Sequence, residues 1–300
     1  MTTTDIYQNV TNQIIADLEK GQLTWRKPWS GDNFAIRPLR SNDVPYTGIN
    51  TILLWATAAS RGYQTPHWMT FKQALAMKAC VRKGEKSTQI IYADKTLKDD
   101  IDENGQSVKK EVPFVKVYSV FNASQIEGLP EAYYKTPEKP EPNADSRIEE
   151  LERFFHETKA EIITGTEAAY SISTDKVMMP PFESFESAPD YYAVLAHEIT
   201  HWTRHPKRLN REFGRKKWGD EGYAQEELVA ELGACFLGAD LGFKPRNEEQ
   251  SAAYIQNWLE VLRNDKKFIF QAAAHAQRAT EYLIRLQKPA ASPVPAPVIA

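Results

Sequence analysis

The sequence has little cysteine: Cys80 and Cys235 are its only two in 300 residues, and they lie far apart. The simplest interpretation is a reduced, cytoplasmic protein that does not depend on disulfide bonds. The N-terminal residues contain neither a basic region nor the apolar stretch of a secretory signal. No apolar run is long enough to cross a bilayer. The sequence therefore predicts a cytoplasmic protein with no membrane partner.

Glycine-rich phosphate-binding loops and internal repeats are also missing. Neither sign of charge dominates the whole chain, whose formal net charge is −3. The charge is unevenly distributed, however, because residues 1–90 contain eleven Lys and Arg against six Asp and Glu. The first part of the chain can therefore attract a polyanion, whereas the acidic remainder cannot.

The length and a hydrophobic content of 42% indicate two domains with sizeable cores. Residues 127–145 are rich in proline and charge and predict a linker or a long surface loop. This divides the chain into a first domain, residues 1–126, and a second domain, residues 146–287. Residues 288–300 are rich in proline and alanine and are expected to form a disordered tail.

The fold class predicted for both domains is α+β. In the first, helical periodicity at residues 3–20 and 49–60 is followed by the alternation of strands at 88–92 and 112–121. The second is expected to be mainly helical, with a small sheet that includes a hairpin at residues 168–179.

The most informative stretch is SAPDYYAVLAHEITHWTRH, residues 187–205. Ser187 predicts a helix N-cap, and the apolar run after it predicts a buried helix. Positions four apart lie on one face of a helix, so His197 and His201 can direct two imidazole nitrogens at one metal ion. Glu198 lies about 100° further round, where a general base can reach a water molecule without ligating the ion.

A mononuclear catalytic zinc takes three protein ligands and keeps one open position. A second helical run, residues 223–237, offers two glutamates four positions apart. The simplest assignment makes Glu227 the third ligand and Glu231 the acceptor for the other ring N–H of a ligand histidine. Glu231, Glu226 and His205 remain alternatives for the third ligand. Two histidines and one glutamate suit Zn²⁺, and Mn²⁺ or Co²⁺ can occupy the same kind of site.

Aromatic and cationic side chains are interleaved in the first domain. Single-stranded nucleic acid is bound without sequence preference by positive grooves that carry aromatic side chains. Tryptophans usually belong to the core, so composition alone leaves a structural role open. The candidate DNA-binding residues are Trp25, Trp29, Arg37, Arg40, Tyr46, Trp68, Lys72, Arg82 and Lys83.

Six motifs together carry a resemblance to a known family: Tyr46-Thr-Gly-Ile-Asn50, Trp68-Met-Thr-Phe-Lys72, Val81-Arg-Lys-Gly-Glu-Lys86, Tyr118-Ser-Val-Phe-Asn122, His197-Glu-Ile-Thr-His-Trp-Thr-Arg-His205 and Glu226-Glu-Leu-Val-Ala-Glu-Leu-Gly-Ala234. In this order they resemble the ArdC family of antirestriction proteins found on conjugative plasmids. The similarity covers nearly the whole chain, from about residue 5 to residue 287. The first domain is also similar to the N-terminal region of plasmid TraC-type primases.

The resemblance implies an N-terminal domain that binds single-stranded DNA and a C-terminal zincin-like metallopeptidase domain. Asn50 is a further candidate DNA-binding residue. It implies His197, His201 and Glu227 as metal ligands and Glu198 as the catalytic residue. The implied role is protection of incoming plasmid DNA from the restriction enzymes of the recipient cell.

Three functional hypotheses follow. In the first, the DNA-binding domain coats or locates incoming single strands, and the metal domain hydrolyses a protein partner, such as a component of the restriction system. In the second, the protein is a DNA-binding shield whose metal site is structural or regulatory. The third, a metal-dependent nuclease, is disfavoured because phosphodiester cleavage usually employs two metals about 3.5–4 Å apart.

Overall fold

A computed structural model describes residues 3–26, 36–101, 106–135, 148–214, 221–243 and 251–287. Its elements in chain order are α1 (Thr3–Leu18), α2 (Ile49–Arg61), β1 (Trp68–Thr70), α3 (Phe71–Ala76), β2 (Cys80–Val81), β3 (Thr88–Ile101), β4 (Ser107–Asn122), β5 (Ile126–Glu127), α4 (Glu149–Glu157), β6 (Glu161–Thr164), β7 (Ala169–Ser171), β8 (Lys176–Met179), α5 (Ala188–Trp202), α6 (Glu221–Leu241), α7 (Ser251–Asn264) and α8 (Phe268–Leu286). The α+β class and the mainly helical C-terminal part with a small sheet are confirmed. No helix of the described ranges is long and apolar enough to cross a membrane.

The N-terminal part is built on an antiparallel sheet of order β1-β4-β3. Strands β3 and β4 form a long ribbon whose register runs from Thr88 opposite Val120 to Ile101 opposite Ser107. The sequence predicts only the inner part of both strands. The outer side chains that the structure describes are exposed on both faces, so no apolar alternation in the sequence reveals this part of the strands. The sequence Glu103-Asn-Gly105 is typical of a hairpin tip, but it lies outside the described residues.

Helix α2 packs against the base of this ribbon. The residues of that small core are Tyr46, Leu54, Trp68, Ile90 and Val120. At the N-terminus of α2, the side-chain amide of Asn50 makes two hydrogen bonds to the backbone of β3. Its Nδ2 donates to the carbonyl of Ile91 at 2.7 Å, and its Oδ1 accepts from the Ile91 N–H at 2.8 Å. Asn50 thereby satisfies backbone groups on the free edge of β3.

The C-terminal part places a small sheet beside α5. Strand β8 is central, parallel to β6 and antiparallel to β7. The predicted hairpin is therefore confirmed, whereas β6, whose four residues are all exposed, was not predicted. Helix α5 begins at the predicted cap, where Ser187 accepts from the Asp190 N–H, and ends at Trp202, shortly before Pro206.

The two parts share one hydrophobic core. Helices α1 and α2 contribute to the same cluster as α6, α7 and α8. Its large members include Ile14, Leu18, Trp25, Ile52, Trp55, Leu228, Phe236, Trp258 and Phe268. An ion pair with a buried arginine reinforces the junction, because Arg37 donates to both carboxylate oxygens of Asp240 at 3.0 Å. The N-terminal residues are thus packed against the helices that carry the candidate metal ligands.

Candidate metal centre

Helices α5 and α6 approach closely enough for their side chains to meet at one point. A Cβ built on Gly233 of α6 would lie 2.5 Å from Cγ2 of Thr200 on α5, which is closer than carbon atoms can pack. Only glycine therefore allows this separation of the two helices. His197 and His201 project from α5, and Glu227 faces them from α6.

The donor atoms of these three residues surround a common point. The Nε2 atoms of His197 and His201 are 3.2 Å apart. Oε2 of Glu227 is 3.5 Å from Nε2 of His197, and its Oε1 is 3.7 Å from Nε2 of His201. Ligands held about 2.0–2.1 Å from a tetrahedral ion would be about 3.3–3.4 Å from one another. The arrangement therefore fits a divalent ion with little movement, and the described residues place neither Glu226 nor His205 in this set.

Glu226 has a role that the sequence did not predict. Nδ1 of His201 lies 3.0 Å from Oε1 of Glu226, so an Nδ1–H donates there and Nε2 is left to face the centre. Arg211 donates to both oxygens of Glu226, at 2.8 and 2.7 Å, and also to the carbonyl of Thr200. This buried chain fixes the orientation of the His201 ring.

Glu231 does not accept from either histidine, and its predicted role is wrong. Its carboxylate accepts from Nε1 of Trp25 at 3.0 Å and from the guanidinium of Arg26 at 2.5 and 2.7 Å. The physical reason is that a buried carboxylate next to a guanidinium forms a two-point ion pair with it. Glu231 thus links α6, which carries Glu227, to the N-terminal part.

The electrostatics of the centre favour charged side chains in the absence of metal. Burial lowers the pKa of His201, but the carboxylates of Glu227 and Glu226 outweigh that effect and raise the pKa to about 10. Burial raises the pKa of Glu226, but Arg211 and His201 outweigh it and lower the pKa to about 2. The pKa of Glu227 is likewise lowered against burial by the two histidines. In the metal-free site the carboxylates thus face protonated histidines, and a bound dication can take the place of that positive charge.

A cleft of about 580 Å³ opens above the three donor atoms. Glu198, which is 8% exposed, lines it next to His197. The other walls include Tyr170, Phe185, Val194, Tyr223, Tyr254 and Trp258. Strand β7 borders the cleft and is an edge strand, because the sheet order is β6-β8-β7. Its free backbone groups are suited to pairing with an extended peptide.

Arg208 holds this edge strand against the end of α5. Its guanidinium stacks 3.8 Å above the ring of Trp202 and donates to the carboxylate of Asp175 and, at 3.2 Å, to the hydroxyl of Tyr170. The strand hairpin and the histidine-bearing helix are therefore positioned together.

Several predicted DNA-binding residues are buried, and for these the structure overturns the prediction. Trp25 is 0% exposed, Trp68 1%, Arg37 5% and Tyr46 6%, so none can stack on a base or meet a phosphate in this fold. The side-chain amide of Asn50 is hydrogen-bonded to the backbone of Ile91 on β3. The aromatic residues fill the shared core and the core beneath α2, which composition cannot distinguish from a stacking surface.

The remaining candidates have different positions. Arg40, Lys72, Arg82 and Lys83 are exposed, and Arg82 pairs with Glu85 at 2.8 Å. Trp29 lies outside the described residues.

Comparison with known families matches both parts of the chain. Residues 149–275 match a zincin-like metallopeptidase domain, and residues 4–121 match the N-terminal domain of the anti-restriction factor ArdC. Fold and site thus define a two-part protein whose C-terminal half is zincin-like.

Similar proteins cover almost the whole chain. An uncharacterised protein of Sinorhizobium fredii is 38% identical over 94% of this chain and 92% of its own length. The metal-free crystal structure of antirestriction protein ArdC from plasmid R388 superposes with a TM-score of 0.81 at 44% identity, covering 94% of this chain and 98% of that one. Its Mn(II)-bound structure gives 0.79 at 42% identity, with 94% and 97% covered. The chain belongs to the ArdC family of antirestriction proteins.

A larger relative contains the same arrangement. The DNA primase TraC of Escherichia coli is 36% identical over 94% of this chain, which spans 27% of the primase. Both halves of the chain therefore have counterparts within that longer protein.

Proposed function

We propose that this protein binds single-stranded DNA without sequence preference and carries a metal-dependent peptidase-type site, and that it protects incoming conjugative DNA from restriction in the cytoplasm of the recipient cell. The observation that carries the proposal is the convergence of three donor atoms, 3.2–3.7 Å apart, at the base of an open cleft lined by Glu198. Membership of the antirestriction family supports the protective role. The relation to a DNA primase supports a nucleic-acid partner.

His197, His201 and Glu227 are the proposed ligands of a divalent ion. Zn²⁺ suits this donor set, and the Mn(II)-bound relative supports Mn²⁺ as an alternative, with Co²⁺ chemically similar. When bound, the ion supplies Lewis acidity that polarises a carbonyl and makes water more acidic.

Glu198 is the proposed general base and acid. It follows His197 on α5 and lines the cleft. Its carboxylate takes a proton from the attacking water and returns that proton to the leaving amine. Strand β7 holds the substrate backbone extended, by pairing with it as an added strand. The proposed substrate is a protein, such as a component of the restriction system.

An alternative function is a single-stranded DNA shield whose metal site is structural or regulatory, without proteolysis. The observation that favours it is the tie from the metal-bearing helix to the N-terminal part through Glu231, Trp25 and Arg26. An ion at the centre would then stabilise the region where the two parts join.

One set of variants separates the two functions. In a plasmid-transfer assay into a restricting recipient, Glu198→Gln should abolish protection while the purified variant still binds metal and labelled oligo-dT. Glu183→Gln, an exposed carboxylate outside the cleft, is the matched control. Full protection by the Glu198→Gln protein would contradict the peptidase proposal and support the shield.

A further inference from the structure

One face of the β3–β4 ribbon carries a group of three aromatic rings. Tyr92 on β3 lies opposite Lys116 on β4, and Phe114 and Tyr118 lie two residues before and two residues after that lysine. Side chains two apart on a strand share a face, so all four project from the same side. The ring centroid of Tyr92 is 6.1 Å from that of Phe114 and 6.2 Å from that of Tyr118.

The two tyrosines of this group are exposed, whereas Phe114 is half-buried. Tyr92 is 44% exposed and Tyr118 42%. The opposite face of the described strands carries no aromatic side chain and instead has an ion pair at 2.6 Å between Lys95 and Glu111, next to the exposed Leu97. The ribbon therefore has one aromatic face and one aliphatic and charged face.

Lysines share the aromatic face. Nζ of Lys116 lies 5.1 Å from the centre of the Phe114 ring, between the aromatic positions. Further out, Lys98 and Lys110 lie directly opposite each other on this same face. With Lys116, they place three lysines on the face that carries the rings. Asp94 also lies on this face, and its carboxylate accepts from the hydroxyl of Tyr92 at 2.6 Å and from the N–H of Lys95 at 2.8 Å.

We propose that this face, defined by Tyr92, Phe114, Tyr118, Lys116, Lys98 and Lys110, is the stacking platform for single-stranded DNA. The inference rests on the proposed DNA binding and assigns it to a surface. Exposed rings accept any base, and the interleaved lysines meet the phosphates, which together give binding without sequence preference. A duplex offers no free base faces to these rings, so the platform selects single strands.

The test uses the full chain and the fluorescence anisotropy of a labelled oligo-dT. Removal of one stacking ring should weaken binding about 5- to 150-fold, so the double variant Tyr92→Thr, Tyr118→Thr should bind much more weakly. Threonine retains strand propensity, and Leu97→Thr makes a similar change on the opposite face as the matched control. Equal affinities of the double variant and the control would overturn the platform. A failure of the unchanged protein to bind oligo-dT would instead overturn the proposed DNA binding itself.

A second pair of variants separates recognition from ribbon stability. Tyr118→Trp retains a ring and should preserve binding, and Tyr92→Phe removes the hydrogen bond to Asp94 but retains stacking.

Replacing Lys116 and Lys98 with Gln should reduce the slope of log affinity against log salt by about 0.7 for each phosphate that is no longer neutralised. Lys95→Gln, on the opposite face, should leave the slope unchanged. An unchanged slope in the Lys116 and Lys98 variants would also overturn the proposal.

Discussion

Arg26 and Glu231 form a two-point ion pair, with Nε to Oε1 at 2.5 Å and Nη2 to Oε2 at 2.7 Å. Arg26 follows α1, whereas Glu231 lies one turn beyond Glu227 on α6. The side chain of Arg26 also lines the cleft above the donor atoms. A residue from the N-terminal part thus contributes to the candidate site in the C-terminal part.

Removal of Arg26 should destabilise the whole protein. Arg26→Met leaves Glu231 buried without its charged partner, and breaking a buried pair in this way costs about 3–5 kcal/mol. Urea unfolding measures the loss. The control is Arg263→Met, which removes an exposed pair with Glu19 and should cost less than about 1 kcal/mol. Equal losses in both variants would contradict a stabilising role for the buried pair.

Glu226 should control metal affinity through His201. Glu226→Gln weakens the hold on the Nδ1–H, and loss of such partners typically lowers metal affinity about 10- to 100-fold. Competition with a chelator measures the change. Glu221→Gln, an exposed change on the same helix, is the control and should have no effect. An unchanged affinity in Glu226→Gln would show that the ring is oriented by packing alone.

Metal affinity should rise with pH. His201 must lose its proton to bind a metal, and its pKa is raised from 6.5 to about 10 in the metal-free protein. Binding at pH 7 should therefore release protons, which titration calorimetry in buffers of different ionisation enthalpy detects. Affinity that is constant between pH 6.5 and pH 9 would contradict this prediction.

The metal-free protein should lose stability on both sides of neutral pH. A raised pKa, as in His201, contributes stability that is fully present below 6.5 and is lost as the pH rises towards about 10. A lowered pKa, as in Glu226, contributes stability above 4.5 that is lost as the pH falls towards about 2. Urea unfolding across pH 3–9 tests both arms. His201→Ala should remove much of the loss of stability at alkaline pH. If that loss is unaltered in the variant, other groups cause it.

The close contact of α5 and α6 should depend on Gly233. Gly233→Ala forces the new methyl group against Thr200, and overpacking of this kind costs about 1–3 kcal/mol. Because the proposed metal ligands are divided between the two helices, metal affinity should fall as well. Thr200→Ala removes the clashing atoms and should restore part of both properties when combined with Gly233→Ala. Failure of that second change to restore either would point to another cause, measured by the same unfolding and chelator assays.

The parts of the site that depend on local spacing were predictable from sequence. His197 and His201 come together because four residues make about one helical turn, and the structure places them accordingly. Glu227 faces them from another helix, where resemblance and spacing agreed. Glu226 was missed because its role requires Arg211, whose position depends on the loop after α5 rather than on any short pattern.

In the N-terminal part, amino-acid composition did not predict which aromatic rings are exposed. Trp25 and Trp68 have the chemistry of stacking residues, but whether a ring is buried depends on tertiary packing. Tyr92 and Tyr118, which the DNA-binding prediction did not include, are exposed because their ribbon extends beyond α2. Burial of the first pair and exposure of the second could only be seen in the folded chain.

The core shared by α1, α2, α6, α7 and α8 has a consequence for inheritance. A recombination event that separated the halves would leave each with an uncovered apolar surface, and such a fragment would be prone to aggregation and degradation. The two halves should therefore be gained and lost as one cassette. The Escherichia coli primase is similar to 94% of this chain, so both halves also occur together within that much longer protein.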